Sequence, residues 1–453
     1  MIAYRQWIRW SVSALLVSVI LSGCVLLATP TSTPPPNPTP APTASPETVT
    51  PTPAPSPTVA DGLMTISIWV PEFLTTGDAE APEGSDAEAL TVLDRQLNTF
   101  AEDTPQTTVR IIPKKPDGSG GLYDLFSTAA EAAPSILPDV IMLDTGDLNA
   151  AAASGLIQPV GVWLPAESDL YPFALESVTY DFIPDEEEAS EIWAFPYLAH
   201  ADHVAYRRGI SAAPPLSWTR VLTSTYSVLF PAAPPDDLAS DVLVAAYIGS
   251  GGRVMDEAGR PALDRAVLED LYAFFAALRS RELINVDRAL SLTDAGACWE
   301  VYTQGIGRLS PVPMGIYWAD PPADSLAGWM PTDDGSPATV MHPWHLAMVT
   351  DDPERQDQVL NLIQWLTQPD NVGAVAGSVR AVPVRRQALE TWLGESEEAA
   401  TADRILSTGI PPLPPSVNAS VRRALQAGLA ALYRAEVESP EEAVDFAVTR
   451  LRP

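Results

Sequence analysis

Between Ala28 and Ala60 the chain is almost wholly Pro, Thr, Ser and Ala, with Glu47 as its single charge. Such a stretch holds too few large apolar side chains to offset its ordering entropy, and its prolines favour an extended polyproline II path. Whatever folds must therefore lie between Asp61 and Pro453. That length exceeds the roughly 250–300 residues one hydrophobic core organises, so two lobes are expected. At about 3.1 Å per residue, the Pro-rich segment would reach on the order of 100 Å when fully extended, as a stalk does.

The segment before it has a basic start at Arg5 and Arg9, an apolar run from Ser11 to Leu21, and the tetrapeptide Leu21-Ser22-Gly23-Cys24. This order reads as a secretory signal, too short on its own to span a bilayer. The tetrapeptide resembles a lipobox, which makes Cys24 the expected lipidated residue and 1–23 the signal peptide. An uncleaved anchor is the competing reading, because apolar residues resume at Val25-Leu26-Leu27. Either places the body outside the cytoplasmic membrane, tethered to its outer face. With Cys24 lipidated, Cys298 has no partner for an internal disulfide.

The chain is 46% hydrophobic and 19% charged, ample for globular cores. Its formal net charge of −32 argues against nucleic acid, since phosphate binding needs clustered Lys and Arg, and the only lysines are Lys114 and Lys115. Thr65–Trp69 and Val109–Ile112 read as strands flanking a helical stripe at Leu90, Val92, Leu93, Leu97 and Phe100, a βαβ unit. Pro138–Asp144 is a continuous apolar run, as in a central parallel strand. Ligands of open α/β sheets sit beyond such strands' carboxyl ends, near 69–72 and 144–147, although Asp144 and Asp147 serve equally as caps for the helix at Leu148. Leu268, Leu271, Phe274, Phe275 and Leu278 predict a packed helix, as do Val421, Leu425, Leu429 and Leu432. Asp352-Pro353-Glu354 opens another, with Pro369 as its stop.

Several motifs, in order, resemble the extracellular solute-binding proteins of ABC importers, in the branch typified by sugar and maltodextrin binders. They are the strand ending in Trp69, Pro138–Leu143, Gly155-Leu156-Ile157-Gln158-Pro159, and Ile192–Pro196 followed by Val204–Arg208, where Arg207 replaces the usual Asn. Gly251–Asp256, Gly305–Leu309 with Tyr317-Trp318-Ala319 as strand and ligand loop, Pro331–Gly335, Asp351–Thr367, Val382–Arg386 and Ser439–Ala443 continue the order. The resemblance implies two α/β lobes joined by a hinge, one from 61–172 plus 337–398 and the other from 173–336 plus 399–453. It further implies a monomeric receptor that takes a mono- or oligosaccharide between the lobes, needs no cofactor, and delivers its ligand to an ABC permease.

A sugar offers an apolar face and a rim of hydroxyls, so its site wants flat aromatics and carboxylates. The candidates are Trp69, Glu72, Asp144, Tyr197, His200, Asp202, His203, Trp318 and Trp344, with core packing an equal reading for each aromatic; Trp365 is assigned to core. All four histidines fall in two i, i+3 pairs, His200 with His203 and His342 with His345, which raises a metal site as a minor competing reading. The spacing carries no known ligand signature. Gly249-Ser250-Gly251-Gly252 lacks the Lys of a phosphate loop, Glu186-Glu187-Glu188 reads as a solvated run, and no catalytic triad stands out. A surface or sensory lipoprotein without import, and an extracellular glycosidase, would use the same residue types and compete with the receptor reading.

Overall fold

The computed structural model describes residues 63–76, 90–161, 164–166, 168–180, 191–208, 217–234 and 240–451. The lipobox, the Pro-rich segment and the Glu186–Glu188 run lie outside the described residues.

The strands in chain order are β1 (Met64–Pro71), β2 (Thr107–Lys114), β3 (Val140–Asp144), β4 (Thr179–Tyr180), β5 (Glu191–Ile192), β6 (Phe195–Arg207), β7 (Leu309–Pro313), β8 (Ser325–Gly328), β9 (Thr339–Met348), β10 (Val382–Pro383) and β11 (Gly409–Ile410). The expected βαβ unit is present. Thr91 caps the helix Val92–Asp103 through a reciprocal bond with Asp94, and the helix buries Leu93, Leu97 and Phe100. It returns the chain so that β2 lies parallel to β1. β3 joins β1 on its other side, also parallel, and its first four residues are buried. β1 is thus central, which is why its far end loses the one-sided alternation its sequence shows and is buried on both faces.

Asp139, at the foot of β3, fixes this packing. Its carboxylate accepts bonds from Ser67 N at 2.8 Å and from Arg355 Nε at 2.7 Å, pinning the helix Pro353–Leu366 to the sheet. That helix begins with Asp352 as cap and Pro353 in its first turn, and it buries Val359, Leu360, Leu362, Ile363 and Leu366. It ends at Leu366, yet Pro369 does more than mark the stop: it opens the next helix, Pro369–Val379, where proline's missing N–H is no loss.

β9 runs antiparallel to β3, and β6 antiparallel to β9, so the sheet order is β10-β6-β9-β3-β1-β2. β6 has 13 residues, about twice the usual strand, and it uses them to leave one body and enter another. Phe195–Ala201 pair with β9, whereas Asp202–Tyr206 pair with β7 and Val204–Arg207 with β8. β9 makes the reverse passage, its first residues pairing with β11. One core gathers β1, β3, the start of β6 and the helices Val92–Asp103 and Pro353–Leu366. A second gathers the end of β6 with Leu268, Leu271, Phe275, Val421, Leu425 and Leu429, on the two helical stripes expected from sequence. The molecule is a two-lobed α/β fold. Val178, Ala194 and Phe195 pack with the β1–β3 sheet rather than with the second core, because β6 must complete its pairing with β9 before it crosses.

Candidate functional site: a charged cleft at the strand crossing

Where β6 and β9 pass between the lobes they floor a cleft of about 510 Å³. The floor is His200 from β6 and His342, Pro343 and Trp344 from β9. Strand register explains this grouping: His200 and His342 lie directly opposite one another in the antiparallel pair. Phe73, in the short turn after β1, wedges edge-on against both His200, at 5.1 Å, and Trp344, at 5.3 Å.

One wall comes from the carboxyl ends of parallel strands, the place α/β sheets reserve for ligands. Asp144, Thr145 and Gly146 follow β3, and Asp117 stands in the loop after β2. Asp144 turns out to be both candidates at once: its Oδ1 accepts from Asp147 N at 2.8 Å as a helix cap, and it lines the cleft. Three carboxyls crowd here. Burial, then Asp144 and Asp117, push Asp147 up to about 7, and burial and Asp144 raise Asp117 as well.

The facing wall is Pro412, Leu413 and one stripe of the helix Pro415–Tyr433: Pro415, Asn418, Ala419, Arg422 and Arg423. Their spacing is i, i+3, i+4, i+7, i+8, a single helical face. Sequence reading took only this helix's apolar stripe. The polar stripe beside it was visible in the same residues but had no partner to give it meaning.

Behind the floor, a network ties the crossing strands to the second lobe. His342 Nε2 lies 2.7 Å from Asp241 Oδ2, and Asp241 Oδ1 lies 3.2 Å from Arg422 Nε. Burial opposes the charge on His342, but Asp241 outweighs it and raises its pKa; burial likewise works against Asp241, which His342 and Arg422 hold below its usual value. His200, with no such partner among the described residues, is pushed down to about 4 by burial and by His342. Asp202 faces a smaller space of about 110 Å³ shared with His200, Asp241, His342 and Arg380, and burial and Asp241 push it up to about 7.

Of the residues singled out from sequence, Asp144, His200 and Trp344 line the cleft, with His342 beside them. Glu72 is exposed and opens the turn that carries Phe73. Trp69 is buried in the first lobe, with Lys114 Nζ 4.9 Å from its ring centroid, and Tyr197 is buried in the adjoining core. His203 is fully buried, 4.9 Å from Trp318 in a stacked pair. Trp318 itself lies in the helix Met314–Ala319, where a ligand loop was expected, and is buried. Asp117, Asp241, Asn418, Arg422 and Arg423 were not anticipated.

The four histidines do not converge. On strands, residues three apart point to opposite faces, so each i, i+3 pair is split. His345 bonds Thr145 Oγ1 at 3.1 Å, far in register from His203 opposite Val312. Among the described residues no group of three His, Cys, Asp or Glu is placed to hold a metal ion. Among those residues, too, no helix is long and apolar enough to cross a membrane.

No protein-family profile matches the chain, and no curated protein is similar to it in sequence. Solved structures are similar in fold. Maltose-bound MalE3 of T. maritima superposes with a TM-score of 0.60 at 18% identity, over 85% of this chain and 98% of that one. The sugar-binding protein MalE of Xanthomonas citri gives 0.66 at 14%, covering 86% and 96%. An extracellular solute-binding protein family 1 member from Alicyclobacillus acidocaldarius gives 0.64 at 15%, covering 87% and 98%. The chain has the two-lobed fold of these sugar- and solute-binding proteins.

Proposed function

We propose that this chain is an extracytoplasmic solute-binding lipoprotein that captures a mono- or oligosaccharide and delivers it, without chemical change, to the permease of an ABC importer. The observation that carries this reading is the cleft at the β6–β9 crossing, where hydrogen-bonding groups from both lobes face one space of about 510 Å³, within the size range of small-molecule sites. Sugar binders among the structures sharing the fold support it, including a cyclic α-maltosyl-1,6-maltose binding protein from Arthrobacter globiformis. On this reading Cys24 carries the lipid, residues 24–60 tether a monomeric body to the outer face of the membrane, and the ligand stabilises a closed state by differential affinity. Of the lobes expected from sequence, 61–172 plus 337–398 and 173–336 plus 399–453, the first also takes the segment from Val178 to the start of β6, and the two turn about the crossing strands.

Thermal unfolding of the full chain against a panel of sugars, amino acids and polyamines tests it. A ligand at a thousand times its dissociation constant adds about 4 kcal/mol. Stabilisation by sugars alone, with the sugar recovered intact, supports the reading; stabilisation only by another class, or release of a hydrolysed product, refutes it.

A further inference from the structure

The cleft is poor in rings and rich in charge. Among the described residues that line it, Trp344 is the one aromatic hydrocarbon surface, beside the imidazoles of His200 and His342, so these residues offer little flat surface for stacking against a neutral sugar. Arg423 is half-buried on the wall formed by the helix Pro415–Tyr433, yet its guanidinium has no ion pair or hydrogen bond among the described residues. Acidic residues outnumber basic ones 58 to 26, and Arg207, Arg253, Arg355, Arg385 and Arg386 each hold an aspartate, whereas Arg423 faces the cleft. Leaving a guanidinium partly desolvated and unpaired costs free energy that an anion in the cleft would offset. Arg422, one residue away, directs its Nε to Asp241 and donates no hydrogen bond through its terminal nitrogens among the described residues. Asn418, one turn earlier on the same face, has a buried Oδ1 without a partner there.

Resting on the saccharide reading above, we propose that the cleft selects a saccharide bearing an anionic group, held by the guanidinium groups of Arg423 and Arg422, while Asp117 and Asp144 across the cleft accept hydrogen bonds from its hydroxyls. A guanidinium fork matches the two oxygens of a carboxylate or phosphate. The raised pKa values of Asp117 and Asp147 moderate the repulsion that the opposite wall imposes on such a ligand.

Calorimetric titration of the full chain in detergent tests this with three arms: galacturonate and its dimer, glucose 6-phosphate, and the neutral galactose and maltose, with Arg423→Ala and Arg423→Lys beside the parent. The expected result is affinity at least tenfold higher for one or both anionic arms than for the neutral arm, weakening as salt rises. Arg423→Ala should lose at least tenfold more affinity on the anionic arm than on the neutral one, with Arg423→Lys in between. Which anionic arm binds tells carboxylate from phosphate. Equal or tighter neutral binding, or an unchanged Arg423→Ala whose fold is intact by circular dichroism, overturns the charge proposal and leaves the saccharide reading standing. Failure of all three arms overturns both.

Discussion

Asp241→Asn removes the one negative charge shared by His342, at 2.7 Å, and Arg422, at 3.2 Å, and so cuts the link between a crossing strand and the second lobe. A hydrogen bond between charged groups contributes about 1.5–3 kcal/mol and a neutral one about 0.5–1.5. The His342 and Arg422 side chains retain 36% and 26% of their exposure, so solvent screens both, and the expected loss is about 2 kcal/mol with His342 charged. The sign follows from the pKa. Because Asp241 raises His342, this contribution is fully present below the unfolded imidazole value of about 6.5 and disappears as pH climbs through the folded value. The variant should therefore be about 1 kcal/mol less impaired at pH 8.5 than at pH 5.5, the difference between a charged and a neutral bond. Urea unfolding of parent and variant at the two pH values measures this, and NMR titration of the His342 ring measures the shift itself. Asp202, which Asp241 helps push up to about 7, should titrate lower in the variant. A stability loss indifferent to pH, or a His342 titration unchanged by the substitution, would refute the argument.

Gly315→Ala should destabilise by about 3 kcal/mol or more and lower the unfolding temperature, because a Cβ there would sit 2.0 Å from the Arg380 carbonyl oxygen, backbone that has no rotamer to yield. Asp144→Ala should cost about 1 kcal/mol through loss of the cap on the helix Thr145–Ala153, while lowering the carboxyl pKa of Asp147 by carbon-detected NMR. His203 and His345 are each held down to about 3 by burial. Their folded values lie below the unfolded one, so each removes roughly 2 kcal/mol of stability as pH falls from 7 to 5; His345→Phe should shrink the acid sensitivity seen in thermal melts, and an unchanged pH profile would count against it.

How much of this was readable beforehand differs by element. Asp352-Pro353 and the apolar stripes at Leu90–Phe100 and Leu268–Leu278 announced their helices, because caps and one-sided burial are local instructions. The doubled role of Asp144 was half visible, as a cap or a ligand group. The histidine spacing builds no shared site for a definable reason: i, i+3 brings side chains together on a helix, but His200, His203, His342 and His345 all lie on strands, where it parts them. Tyr317-Trp318-Ala319 likewise formed a buried helix rather than a loop, since rings able to stack on a ligand pack equally well on one another.

The sequence by itself determined where folding is possible, that the folded part needs two lobes, which segments alternate between strand and helix, and which faces of the helices are apolar; these depend on composition and on periods of two and 3.6. Only the tertiary structure decided what the cleft is made of. Asp117 and Arg423 are some three hundred positions apart and belong to opposite walls, and nothing near either residue in the chain says that they face one space. That pairing is set by the register of β6 against β9, which places His200 opposite His342, and by the length of β6, which carries the chain from one core into the other. Long-range register is a property of the closed sheet, fixed by which faces can be buried together, and so it is written in the fold rather than in any local stretch of residues.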